Sequence, residues 1–156
     1  AMHGCGDAQG ASGWRYQVRA RGGAWRDASR WVPELLDWTE GEGQMEAWFN
    51  RMEQCSVVPG PDTARTWQAP RAGTVTVRSR ALKFQPSGAP ARVQLTLNEQ
   101  PLAEAASVPA GDWAGVELNL AQVDVRAGDL LRFEVSGAGS SLRDAVSWAP
   151  TVAYLS

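Results

Sequence analysis

The chain has 156 residues, 44% of them hydrophobic, with 16 glycines, 9 prolines and a formal net charge of −2. That is the length and turn-rich composition of one globular domain able to build its own core. No basic run stands ready for nucleic acid or an anionic membrane surface, and no apolar stretch approaches the roughly 18 residues that a membrane span needs.

In chain order, residues 1–13 are small and polar. They read as a tail or linker opening on a cloning remnant, Ala1-Met2, with any signal peptide outside the sequence given. Residues 14–156 read as a single domain. "WRYQV" alternates Trp14, Tyr16 and Val18 with polar residues, the period of a strand. From Gly22 to Gly43 no period holds. "DASRWVPELLDWTEGEG" reads mainly as a long loop, with a short helical turn after Asp27 or Ser29 and Pro33 near its start. "QMEAWFNRMEQCSVV" is extended in character. From Thr66 the signals become regular. Val75 and Val77 share a face, as do Val93, Leu95 and Leu97, then Val116, Leu118 and Leu120, then Leu131, Phe133 and Val135, and finally Val152 and Tyr154. Short runs alternating at period two between Gly, Pro and Asp turns describe an all-β fold, an antiparallel β-sandwich of jelly-roll type.

Catalytic chemistry has little to work with. The single histidine, His3, lies in the tail, so neither a Ser-His nor a Cys-His nucleophile is credible and a His-rich zinc site fails with it. No phosphate-cradling or dinucleotide glycine motif occurs. Paired carboxylates are the one catalytic device left, and Asp37, Glu40, Glu42 and Glu46 sit among aromatics, but the plainer reading is a solvated acidic loop. No cofactor is required. A structural Ca²⁺ held by loop carboxylates is conceivable, with Asp129 and Asp144 as its candidates; the plainer role of Asp129 is to bond its own turn. Cys5 and Cys55 either pair, as exported proteins allow, or stay as two thiols; a third alternative makes Cys5 a lipid-bearing first residue.

Three stretches carry a resemblance. "ARTWQAPRAGTVTV" (64–77) has an Arg-x-Trp-x-Ala-Pro-x-x-Gly corner, "VDVRAGDLLRFEV" (123–135) a Val-x-x-Gly-Asp hairpin, and "RDAVSWAPTVAY" (143–154) an Asp…Trp-x-Pro closing strand. In this order, over about residues 64–154, they resemble bacterial galactose-binding-like β-sandwich modules that accompany secreted polysaccharide-active enzymes. The resemblance implies a non-catalytic, secreted or cell-surface, monomeric carbohydrate-binding module. Its partners would be a polysaccharide and a linked catalytic domain whose local substrate concentration it raises. The motifs themselves are fold signatures, with Trp67 and Trp148 in the core and Pro70 and Gly73 setting a turn. The long glycine-and-aspartate insert that such modules often carry between the strands at 73–80 and 91–97 is missing here, which argues against a ligand or ion role for that edge.

The working residues are then aromatics that the scaffold does not need. A pyranose offers an apolar C–H face to an indole and a belt of hydroxyls to Arg, Asp, Glu, Asn or Gln. Five of the eight tryptophans fall in the first third of the chain. Trp31, Trp38 and Trp48 are the expected stacking residues, Trp25 a further one, and Arg30 and Asp37 their polar partners. Trp113, in "AGDWAG", is the best candidate elsewhere. Trp14 and Tyr16 belong to the core or a groove floor. Two rival readings stand beside this one. In the first, a structural or protein-interaction sandwich buries the same aromatics against a neighbour. In the second, a small glycosidase or lyase sets two carboxylates across an aromatic cleft.

Overall fold

The structure is a computed structural model that describes residues 7–20, 22–41, 47–49, 53–56, 61–85, 88–136 and 145–155, with Trp48 and Ser56 described by backbone alone. Its early strands are β1 (Trp14–Arg19), β2 (Arg26–Asp27), β3 (Arg30–Val32), β4 (Asp37–Glu40), β5 (Ala47–Phe49) and β6 (Glu53–Ser56). The regular part follows with β7 (Asp62–Gln68), β8 (Gly73–Arg78), β9 (Arg80–Lys83), β10 (Ala91–Leu97), β11 (Gln100–Pro101) and β12 (Ala106–Val108). It closes with β13 (Asp112–Glu117), β14 (Leu120–Val125), β15 (Leu130–Ser136), β16 (Val146–Trp148) and β17 (Thr151–Tyr154).

One layer has the order β11-β10-β15-β7-β1-β2, with β12 also on β10. Its antiparallel register lines the core in rows: Trp14, Trp67, Leu131 and Leu97 stand side by side, as do Val18, Thr63, Val135 and Val93. The period-two pattern read from the sequence is therefore the inward face of this sheet. The second layer joins β13-β9-β16-β6-β5-β4-β3 to β14-β8-β17. These are the two halves of one creased surface. Three strand pairs, β8 with β9, β13 with β14 and β16 with β17, break at the same level. At the crease the Ser79 hydroxyl donates to the Leu118 carbonyl at 2.6 Å and the Ser79 amide donates to Asn119 Oδ1 at 3.0 Å.

Tyr16 meets Phe49 at 5.7 Å between ring centroids, Phe133 meets Trp148 at 5.5 Å and Trp67 meets Tyr154 at 5.9 Å, so aromatic pairs join the layers along the sandwich. From β7 onward the chain crosses between layers at each turn of the wrap, a jelly-roll path. The "RTWQAPRAG" corner is scaffold. Arg65 crosses the core to donate to the Glu53 carbonyl at 3.0 Å, and the ring of Tyr154 lies where a Cβ on Gly73 would meet it at 3.0 Å.

Two differences from the sequence expectation have physical causes. The segment expected as mainly loop, with a helical turn, contains β2, β3 and β4 instead. Trp31 and Trp38 face each other across β3 and β4, and the apolar anchor they supply outweighs the loop-like propensity of the residues around them. The last residues of the expected tail are docked. The Gln9 amide nitrogen donates to the carbonyls of Tyr16 at 3.0 Å and Ala28 at 3.1 Å, while its oxygen accepts from the Tyr16 amide at 2.9 Å.

Candidate functional site

The described members of the aromatic cluster expected from the first third of the chain, Trp25, Trp31 and Trp38, do not share one surface. Trp38 is 7% exposed and belongs to the core, with Phe49 beside it on β5 and the Trp31 ring tilted against it at 5.7 Å. An indole enclosed on both faces has none left for a pyranose. Trp31 is half-buried on the same pair, Arg30 is exposed next to it, and the Trp48 side chain lies outside the described residues. Trp25 sits on the other layer, with the guanidinium carbons of Arg19 and Arg132 at 4.4 and 5.6 Å from its ring centroid. Trp113 stands on β13, at the opposite edge of the second layer from β3 and β4.

Asp37 is 8% exposed and its Oδ1 has no hydrogen-bond partner among the described residues. Burial, and secondarily the charge of Glu53, hold its carboxyl above the ordinary value of 3.8. Between 3.8 and the raised value the unfolded chain has already lost this proton while the folded one keeps it. Stability therefore falls as pH rises through that window, and the penalty persists at neutral pH. Asp37→Asn is expected to raise the melting temperature at pH 7 and to leave it nearly unchanged at pH 3, as calorimetry at the two pH values would show.

Among the described residues, Trp113 is the tryptophan that the fold turns outward. Its ring is 72% exposed and lies 4.7 Å, centroid to centroid, from Phe84, itself 40% exposed. The local sequence "AGDWAG" explains the pose. Asp112 Oδ1 accepts the amides of Ala114 at 3.0 Å and Gly115 at 3.2 Å, and β13 shifts register against β9 between Asp112 and Val116. The bulge aims one side chain away from the sheet. Gly115 holds φ +79° over β9, where a Cβ would meet Arg80 Cγ at 2.8 Å and Leu82 Cγ at 2.9 Å. Gly115→Ala is expected to cost about 1–2 kcal/mol, from the positive φ and the contact together, and to loosen Trp113, read as a lower unfolding midpoint with faster acrylamide quenching.

Beside the two rings Arg80 donates from Nη2 to Glu117 at 2.6 Å and from Nη1 to the Ala114 carbonyl at 3.0 Å. The pair is exposed and contributes little stability, but it places a fixed donor and acceptor next to an aromatic surface. Phe84 follows β9 in the connection to β10, at the edge where the missing insert argued against a ligand. Phe84 has only a faint signal in the sequence, an aromatic next to turn residues in "LKFQPSGAP".

The calcium candidates stand apart from this surface. Asp129 Oδ2 accepts the Arg126 amide at 2.7 Å and Oδ1 accepts the Asn98 side-chain amide at 3.0 Å. The Arg126 amide, and after it the Asn98 amide, hold this carboxyl below its ordinary range, so Asp129 fastens two turns to each other. Asp144 lies outside the described residues, among which no group of three or more His, Cys, Asp or Glu converges. Cys55 is buried in β6, and the alternatives of a pairing or two thiols turn on Cys5, which lies outside the described residues. Among those residues no helix is long and apolar enough to cross a membrane.

No protein-family model matches the chain, and no curated protein matches it in sequence. By structure the chain is similar to carbohydrate-binding modules. A family 61 module in complex with β-1,4-galactotriose aligns over 98% of this chain and 99% of its own at 12% identity and a TM-score of 0.43. The family 35 modules of Clostridium thermocellum and Paenibacillus barcinonensis are similar at 15% and 16% identity and TM-scores of 0.39 and 0.35. The first covers 72% of this chain and 80% of its own, the second 95% and 97%. Likeness at this level assigns neither a ligand nor a site.

Proposed function

We propose that this domain is a non-catalytic carbohydrate-binding module that holds a polysaccharide against the Trp113–Phe84 surface and keeps a linked enzyme near it. The observation that carries the reading is an exposed indole, tilted against a second exposed ring and held by its own bulge, with the Arg80–Glu117 pair alongside. The rings match the apolar face of a pyranose and the ion pair its hydroxyl belt. Because Asp112 and Gly115 set the backbone before any ligand arrives, little ordering entropy is lost on binding. Titrating the free domain with soluble plant, algal and bacterial polysaccharides while following tryptophan fluorescence tests this. A saturable shift with one glycan class supports the reading. A flat response across the panel, with Trp113 still open to acrylamide, overturns it.

A protein-interaction role has one observation of its own. The tip of the β3–β4 hairpin exposes Leu35 at 56% and Leu36 at 64%, and Leu36 holds φ 55°. Leucines in water on a strained turn serve no packing purpose within the domain. Leu35→Ser with Leu36→Ser is expected to leave glycan binding unchanged, and gel filtration of the two forms would show whether the tip drives self-association.

A further inference from the structure

The surface at Trp113 has an order along the strands that the two rings alone do not show. The outward residues of β9 and its continuation come at every second position. Arg80 is exposed, Leu82 half-buried and Phe84 exposed, with Ala81 and Lys83 buried between them. At a strand rise of about 3.3 Å per residue, the Cα atoms of Arg80 and Phe84 stand about 13 Å apart. β13 runs antiparallel beside them, with Glu117 opposite Arg80, Val116 opposite Ala81 and Asp112 opposite Lys83. Trp113, Ala114 and Gly115 therefore crowd the single position of Leu82, which lifts the indole off the sheet.

The two flanks of that indole differ in chemistry. Toward the end of β9 the Phe84 ring lies tilted against it by 43° at 4.7 Å. Toward the start of β9 lies Arg80. Its stem runs against Gly115, where a Cβ would meet Cγ at 2.8 Å and Cδ at 3.0 Å. Its guanidinium reaches back to the Ala114 carbonyl at 3.0 Å and across to Glu117 at 2.6 Å. Asn119 Nδ2 approaches the other Glu117 oxygen at 3.5 Å. Phe84, Trp113, Arg80 and Glu117 thus form one row along β9 and β13, aromatic at one end and polar at the other. Among the described residues no other aromatic side chain is exposed, so no second ring platform continues the surface across the strands.

Charge sets the class of sugar. β9 and β13 carry Arg80, Lys83, Asp112 and Glu117. Lys83 is fully buried and its Nζ donates to the Ala89 carbonyl at 2.6 Å, so it does not face the row. The connections 84–90 and 109–111 hold no charged residue, and neither do β12 and β16, which pack against this pair. The next cation along the outward face, Arg78, stands on β8 beyond the crease. Two carboxylates therefore meet one guanidinium, which Glu117 already engages, and the row offers no spare cation to a uronate or a sulfate. We infer that the ligand of this surface is a run of two or more units of a neutral glycan lying parallel to β9 and β13. One sugar ring stacks on Trp113 and the next presents its hydroxyls to Arg80 and Glu117. The inference rests on the reading of Trp113 and Phe84 as the recognition surface, and adds to it a direction, an extent and the exclusion of acidic glycans. A chain crossing the strands meets the indole alone, whereas one along them meets the polar flank as well. Because that flank is held by Ala114 and Glu117 before any ligand arrives, the second sugar unit adds affinity at little ordering cost.

The test follows the Trp113 Nε1 signal of the ¹⁵N-labelled domain during titration with galactose, mannose, xylose and glucose, each also as its β-1,4-linked dimer and trimer, and with trigalacturonate as the acidic trimer. In the series that binds, the dimer and trimer are expected to saturate the shift at least tenfold earlier than the monosaccharide. In Arg80→Gln/Glu117→Gln, an exposed pair whose loss the fold tolerates, that gain should fall below threefold while the monosaccharide binds as it does to the parent. Trigalacturonate should leave the signal in place. Equal affinity for monosaccharide and trimer, a length gain that survives in the double variant, or trigalacturonate binding as tightly as the neutral trimer would each overturn this inference and leave Trp113 as the recognition surface. A Trp113 signal unmoved by every probe would overturn both.

Discussion

Trp113→Ala is expected to weaken the bound glycan by roughly 30-fold or more, about 2 kcal/mol, the loss expected when a stacking tryptophan at the centre of a contact is truncated. The same change should move folding stability by less than about 0.5 kcal/mol, because a ring mostly in water contributes little to the core. Phe84→Ala should weaken binding less, since Phe84 offers a smaller face and acts partly by holding the Trp113 ring. The two are in ring contact, so their effects are expected to be non-additive, and the double variant should lose less than the sum. Isothermal titration with the glycan identified by fluorescence, alongside denaturant unfolding of each variant, measures both quantities. A Trp113→Ala protein that binds as the parent does would remove the surface from consideration however exposed it is.

The contrast between the two halves of the chain follows from how strands announce themselves. Where a strand has one face in the core and lies between neighbours, its sequence must alternate. Val75 and Val77, Val93 and Leu95, and Leu131, Phe133 and Val135 were all legible for that reason. The early segment hides its strands because β2, β3 and β5 span only two or three residues each, too short for any period to show. Legibility of sites failed differently. Composition says that a tryptophan is costly to expose, but not which one the backbone exposes. Trp38 is enclosed because β3 and β5 flank it. Trp113 is open because Asp112 takes the amides of Ala114 and Gly115, an Asx signal present in "GDWAG" that marks a bulge rather than a binding residue. The polar face over the first layer was less legible still. Gln17, Thr66, Thr96, Arg132 and Glu134 lie far apart in sequence and meet through hydrogen bonds only when β1, β7, β15 and β10 pair.

Trp38→Ala is the second large expected effect, and it falls on stability where Trp113→Ala falls on binding. Removing a buried indole from between Trp31 and Phe49 leaves a cavity on the core side of β4, with an expected cost of about 3–5 kcal/mol. Against the total of about 5–15 kcal/mol usual for a domain, that is enough to lower the melting temperature steeply and to populate unfolded chain at 37 °C. Glycan affinity, measured at a temperature where the variant is still folded, should be unchanged, because β13 is one edge of the second layer and β4 lies five strands away from it. Trp38→Phe should recover part of the stability by refilling the space with a ring. The two variants therefore separate packing from recognition for a residue that its surroundings in the sequence would equally place in a sugar site. Retained stability with lost binding in Trp38→Ala would mean that the β3–β4 hairpin opens to receive the glycan, and the aromatic pair at Trp31 and Trp38 would then displace Trp113 as the recognition surface.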